Sequence, residues 1–269
     1  IIEIASNDGT FLKPFKEKNY FNLLGIDPAR NIAKIANSSG IKTIPTFWSH
    51  SISKKILNEY GHAKIVFARN VIPHVSELHD VIKGISNIIN KHGIGIIEFH
   101  YAGKILSELH YDSIYHEHLC YFSIKSITYL LNKYKLYPYD IFESPISGGS
   151  LVISFSKQTK NKTGRLINFE NLENKNKINS LKSWGLFAKK TLEHKLATLK
   201  LLDEIKTYKI IGFGSSARSQ TYINYCGITN NQIPLIIDNN VFKQNKFAPG
   251  SSIPIVSLKK GLQINPDYI

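Results

Sequence analysis

A chain of 269 residues can bury a sizeable core as one large domain or two. Its net charge of +14 invites a nucleic-acid reading, but lysine and asparagine are scattered throughout. The densest basic run (157–177) also holds Asn, Thr and Glu, and no recognised module or aromatic-basic interleaving appears. The charge therefore excludes no small anionic ligand and points to no nucleic acid.

No apolar run reaches the length of a membrane span. Cys120 and Cys226 lack the spacing of a disulfide framework or a Cys-based zinc site. A reducing, cytoplasmic setting without a membrane partner is expected. The chain has no methionine, opens on Ile-Ile-Glu-Ile and ends on Pro-Asp-Tyr-Ile. It is expected to be a piece of a longer protein.

In chain order, Ile1 to Ala5 reads as a short apolar strand, and Ser6 to Thr10 as a turn into a helix from Phe11 to about Lys18. Phe21 to Asp27 is a second strand ending on an acid. Pro28 and a helix over Ala29–Asn37 follow, then a strand at Ile41–Ile44 and a helix over Ser51–Tyr60. Ile65 to Ala68 is a fourth strand running into Arg69-Asn70-Val71-Ile72-Pro73-His74. Leu78, Val81, Ile82, Ile85, Ile88 and Ile89 recur at helical spacing over Glu77–Lys91. Ile94 to Phe99 is a fifth strand. This alternation predicts an α/β fold with a doubly wound, largely parallel sheet. Ligands of such sheets sit beyond the C-terminal ends of the strands.

The stretch Tyr111-Asp112-Ser113-Ile114-Tyr115-His116-Glu117-His118-Leu119-Cys120-Tyr121-Phe122 is too polar for a buried strand and poor in helix formers. It reads as a functional loop. If extended, His116 and His118 share one side; if coiled, Tyr115 and His118 converge. Either way a base, an acid and a phenol lie close together, as proton transfer requires.

Downstream, a helix over Ile124–Tyr134 leads to strands at Leu136–Phe142 and Leu151–Phe155, an antiparallel hairpin closing the sheet. The polar stretch Asn161–Asn179 marks a boundary, and a long helix follows to about Thr207. A second strand-turn-helix unit begins at Lys209, with Gly212-x-Gly214-x-x-Ala217 in its turn and Leu235–Asp238 as its next strand. The expected domains are 1–157 (with the functional loop at 110–122), a linker and helix at 158–207, and 208–269.

The first turn lacks a GxGxxG fingerprint, which suits a ligand approaching with ribose and amino-acid parts more than a pyrophosphate. Asp27 is placed to accept from ribose hydroxyls, or alternatively to cap the following helix. Together these features describe an S-adenosylmethionine site.

Four segments, Glu3–Gly9, Ala68–His74, Tyr111–Phe122 and Asn224–Ile228, resemble the signatures of nucleotide-sugar C-methyltransferases, which act on 4-keto deoxysugars. The resemblance implies a class I methyltransferase domain, a linker helix and a second Rossmann-like domain that binds no cofactor. It also implies a zinc domain before the methyltransferase domain, hence zinc only outside this piece.

By the same resemblance His118 is the base, Glu117 orients it, Tyr115 contacts the sugar or its enolate oxygen, and His74 assists. Glu3, Ala5, Ser6, Asn7, Asp8, Gly9, Asp27, Pro28, Phe47 and Asn70 line the cofactor site. Asn70 and His116 touch the substrate, a nucleotide-linked keto-deoxysugar, and Ser215, Ser216 and Arg218 its diphosphate. Two departures stand out: His100 precedes Tyr101 where the family usually has Pro, and Arg218 replaces a common Lys.

Three other readings compete, one of them a non-catalytic nucleotide-sugar-binding module. His110, His116, His118 and Cys120 could form a metal site, although no metal is expected. The turn at Gly212, with Asp238, could instead bind a dinucleotide in an oxidoreductase. His50, His62, His79, His92 and His194 read as surface residues, and Trp48 and Trp184 as packing groups.

Overall fold

A computed structural model describes residues 1–269, apart from the side chain of Ser147. The chain divides into two compact units, one of residues 1–104 and 119–179, the other of 105–118 and 180–269.

The first unit follows the predicted alternation: β1 (Ile2–Ile4), α1 (Lys13–Glu17), β2 (Leu24–Ile26), α2 (Arg30–Ser38), β3 (Thr43–Ile44), α3 (His50–Tyr60), β4 (Ala63–Arg69), α4 (Leu78–Ile88) and β5 (Ile89–His100). After α5 (Ala102–Ser107), which begins in this unit, come α6 (Ile124–Lys133), β6 (Tyr137–Ser144), β7 (Ser150–Ser156) and α7 (Gly164–Lys175). The sheet order is β3-β2-β1-β4-β5-β7-β6. Its first five strands are parallel, and β7 runs antiparallel between β5 and β6. This is the expected class I methyltransferase sheet with its terminal hairpin.

The α4 periodicity holds, with Val81, Ile82, Ile85 and Ile88 all buried. The helix stops at Ile88, short of the expected Lys91, because Ile89 leaves it to pair with Ala63. At Gly95 on β5 the missing side chain is filled by the ring of Phe155 from β7, so any Cβ there would collide with that ring. Closure of the sheet by the hairpin depends on that gap.

The polar stretch read as a boundary is a helix, α7, and it folds onto the first unit. Thr163 caps it and donates to Asp140 on β6 at 2.6 Å, and Arg165 Nη2 reaches Asp140 at 2.6 Å. Leu166 is fully buried. From the other end of α7, Glu173 accepts from the N–H groups of Ile124 (2.7 Å) and Lys125 (2.9 Å), capping α6. It also accepts from Tyr101 Oη (3.1 Å) and Asn179 Nδ2 (2.9 Å). One carboxylate thus satisfies orphan helix donors that would otherwise be buried unpaired.

The second unit holds α8 (Leu181–Glu204), β8 (Gly212–Phe213), α9 (Ala217–Cys226), β9 (Ile236–Ile237), β10 (Lys246–Phe247), β11 (Pro254–Val256) and α10 (Leu258–Leu262). Its sheet runs β10-β11-β9-β8, with β8, β9 and β11 parallel and β10 antiparallel. Ile223, Cys226, Ile236, Ile253 and Ile255 form its core. The second Rossmann-like unit is therefore present, built on very short strands. No helix among the described residues is long and apolar enough to cross a membrane.

Candidate active site

In the first unit the turn after β1 is wound through the left-handed region at three residues, Ala5 (φ 56°), Asn7 (φ 51°) and Gly9 (φ 79°). Alanine is held there at a cost of roughly 1–2 kcal/mol, the kind of strain that collects at functional turns. Asp27, at the end of β2, holds this turn: its Oδ2 accepts from Asn7 N at 2.9 Å and its Oδ1 from Ala29 N at 2.9 Å. No side chain caps α2, whose N-cap is Ala29, so Asp27 closes the turn ahead of the helix, and each carboxylate oxygen keeps a second lone pair for a further donor. Pro28 lies exposed beside it, Phe47 is 77% exposed, and Asp8 accepts from Thr10 N at 3.0 Å.

Behind the turn, Glu3 is buried and pairs with Arg69 Nε at 3.2 Å, and that guanidinium stacks on Phe11. Three buried oxygens have no partner here: Glu3 Oε2, Ser6 Oγ and Glu98 Oε1. Buried polar oxygens without partners beside the turn are the kind of group that a ligand bearing an ammonium group and hydroxyls, such as S-adenosylmethionine, could satisfy.

Burial pushes the Glu3 carboxyl up to about 7, against the pull of Arg69 and with a further push from Asp27. A carboxyl with a raised folded value contributes stability that is complete below its ordinary value of 4.5 and is lost as pH rises through about 7. The loss amounts to at most about 3 kcal/mol. Denaturation curves of the wild type minus those of Glu3→Gln should show this slope between acid and neutral pH. Equal pH dependence in the two proteins would remove the assignment.

Beyond β4, Asn70 (φ 48°) turns the chain into a 3-10 turn over Ile72–His74. The Pro73 carbonyl accepts from Leu119 N (2.8 Å) and Cys120 N (3.1 Å). The chain thus leaves the first unit after Lys104 and re-enters it at Leu119, beside the end of β4.

The segment between, 105–118, belongs to the second unit. It is coiled, with a 3-10 turn over Tyr111–Ser113, so the coiled alternative holds. Tyr115 and His118 converge with ring centroids 4.4 Å apart, and Tyr115 Oη lies 3.5 Å from His118 Nε2. His118 Nδ1 lies 2.6 Å from the carbonyl of Ser113. A carbonyl can only accept, so Nδ1 carries a proton, and Nε2 faces the phenol of Tyr115. Burial and the nearby Glu117 raise the Tyr115 phenol, and Arg218 opposes them. It stays protonated at neutral pH and can donate. His116 and Glu117 are exposed.

Tyr111 is anchored by its hydroxyl to His194 Nδ1 at 2.9 Å and by its ring to Tyr222 and Tyr225. Asp112 forms a two-pronged pair with Arg218, at 2.8 Å to Nε and 2.9 Å to Nη2. Asp112, His110, His194, Ser216, Arg218 and Tyr222 line a cleft of about 520 Å³. His194 is exposed, as its surface reading expects, and it still anchors Tyr111.

The glycine turn of the second unit is internally engaged. Asp238 accepts from Ser215 N (2.8 Å) and Asn240 N (2.8 Å), and Lys243 Nζ lies 3.5 Å from it while bonding the Ser215 carbonyl. Burial would raise the Asp238 carboxyl, but these N–H groups and the lysine bring it below the usual range. An acid already neutralised by a lysine is a poor acceptor for a ribose diol, which disfavours the dinucleotide reading. Ser216 spends its hydroxyl capping α9 at Ser219 N. Among the described residues no three His, Cys, Asp or Glu side chains gather as a metal would need.

Sequence reasoning missed three contributors: Ser113, whose role lies in a backbone carbonyl; Glu173, hidden in a polar run; and Lys243. Only for Lys243 is there a local signal, a cation five residues after a strand-end acid.

Comparison with known proteins places the chain among methyltransferases. Residues 1–139 match a family described as a methyltransferase domain, and residues 145–269 one described as a C-methyltransferase C-terminal domain. The C-methyltransferase NovU of Streptomyces niveus is 29% identical over all of this chain, which spans 64% of NovU. Solved structures with a similar fold include a SAM-dependent methyltransferase of Thermotoga maritima, 16% identical over 58% of this chain and 81% of that one, with a TM-score of 0.44. A Pyrococcus horikoshii protein, also 16% identical, covers the same shares with a TM-score of 0.45.

Proposed function

We propose that this chain, which belongs to the methyltransferase domain family, is part of a C-methyltransferase that methylates a carbon next to a ketone in a nucleotide-linked 4-keto-deoxysugar. The observation that carries this reading is the His118 imidazole, held with Nδ1 on a carbonyl and Nε2 beside a phenol. A C–H next to a ketone is weakly acidic, and its removal needs a positioned base together with a donor for the enolate oxygen. His118 Nε2 takes the proton and Tyr115 Oη donates to the developing oxyanion. Glu117 favours the imidazolium that results, and Asn70, His74 and His116 contact the sugar.

The S-adenosylmethionine sulfonium supplies the electrophilic methyl group. Glu3, Ala5, Ser6, Asn7, Asp8 and Gly9 form its turn, Asp27 accepts from its ribose, and Pro28, Phe47 and Asn70 border it. Ser215 and Ser216 lie beside the cleft that takes the substrate's nucleotide part. Both cysteines are free thiols, in keeping with a reducing cytoplasm.

The test is incubation of the full-length protein with S-adenosylmethionine and a panel of 4-keto nucleotide sugars, followed by mass spectrometry. A product one methylene heavier, with the new carbon bonded to carbon by NMR, is expected. Methylation at oxygen or nitrogen would overturn the reading. Separately, Asp27→Ala should weaken S-adenosylmethionine binding about 10-fold or more, as loss of a charged acceptor does. Calorimetry giving wild-type affinity would remove Asp27 from the site.

A further inference from the structure

We propose that Arg218 is a positioning residue for the base: through its two-pronged pair with Asp112 it holds the Tyr111–Ser113 turn whose carbonyl fixes the tautomer of His118. The inference rests on the reading of His118 as the base, and it gives Arg218 a role different from that of a diphosphate ligand.

Three observations carry it. First, Arg218 Nε and Nη2 are both committed to Asp112, so an anionic ligand would have to compete with a carboxylate already in the fork geometry that guanidinium prefers. Second, Arg218 sits in the first turn of α9, which carries no acidic residue there. A cation at that end opposes the helix dipole, and a carboxylate brought to it compensates. Asp112 is that carboxylate.

Third, Asp112 immediately precedes Ser113. The turn is closed by Ser113 N and Oγ on the His110 carbonyl and by Ile114 N on Tyr111, while Tyr111 is tied to His194 on α8. The Ser113 carbonyl therefore has no freedom to leave His118 Nδ1 while Arg218 holds Asp112. A base whose orienting acceptor wanders loses its tautomer and its aim together. The same arrangement keeps a positive charge near Tyr115, which strengthens the phenol as a donor.

The test uses the full-length protein and two independent readouts. In steady-state kinetics Arg218→Gln should lower kcat about 10- to 100-fold, as displaced orienting partners do, with the sugar-nucleotide KM little changed. Arg218→Lys keeps the charge without the fork and should lose less, roughly 3- to 10-fold. The double variant Asp112→Asn/Arg218→Gln should be no worse than either single change, since both break one interaction.

In NMR of protein labelled with 15N-histidine, wild-type His118 should show the Nδ1–H form, and Arg218→Gln a mixture of tautomers. A raised KM with kcat retained would make Arg218 an anion ligand and overturn the proposal. An unmoved His118 signature in a folded Arg218→Lys or Arg218→Gln variant would overturn it as well. If no keto sugar is methylated even by wild type, the proposed function fails, and the tautomer readout still decides what Arg218 does.

Discussion

His118→Ala in the full-length enzyme is expected to reduce methyl transfer by about 10³-fold or more, the range of a positioned general base. It should also abolish exchange of the substrate's acidic hydrogen with deuterated solvent. The two losses belong together because in the proposed mechanism one atom, Nε2, serves both: Nδ1 is occupied by the Ser113 carbonyl, and the phenol of Tyr115 is a donor, held protonated by burial and Glu117. Cofactor affinity should stay within about 2-fold, since the cofactor turn is held by Asp27 and not by this loop. Deuterium incorporation followed by NMR is the decisive measurement. Exchange that continues in His118→Ala would place the base elsewhere, whereas exchange lost together with cofactor binding would mean a damaged fold.

The second large effect is on stability. Glu173→Ala should cost about 3–5 kcal/mol, the range for removing one partner of a buried charged network. The carboxylate accepts four hydrogen bonds, two of them from the first N–H groups of α6, and all four donors would be left without it. Glu173→Gln should recover about half of that, because the amide accepts with one atom and presents a donor with the other. Urea denaturation gives both numbers, and a loss below about 1 kcal/mol in Glu173→Ala would show that water replaces the carboxylate. The consequence extends to Tyr101, whose phenol burial and Glu173 together hold protonated. Its backbone bridges to Phe122, so Glu173 holds both this bridge and the start of α6 within the first unit.

Most elements of the first unit were legible because hydrophobic periodicity reports directly on which face is buried. The alternating strands and helices of residues 1–100 could pack in few ways other than a wound parallel sheet. Ends were less legible, as at Ile89, where isoleucine suits helix and strand alike and pairing with Ala63 decides. The polar stretch Asn161–Asn179 ends where the second unit resumes, but its helix α7 was not legible for a similar reason. Its polar residues look solvated, yet Glu173 is buried because the donors it serves lie some fifty residues earlier.

The functional loop shows the same division more sharply. Its composition already gathered imidazole, carboxylate and phenol into one short stretch, and the proposed chemistry was read from residue types alone. The local sequence is compatible with both an extended and a coiled chain, so it left open whether His118 would meet His116 or Tyr115. The 3-10 turn at Tyr111–Ser113, clamped by His194 and Arg218 from distant helices, decides for Tyr115. Residue identity determines which protons can move. How the imidazole is oriented was decided by a backbone carbonyl and a loop held by an ion pair across 106 positions, and such contacts exist only once the chain has folded.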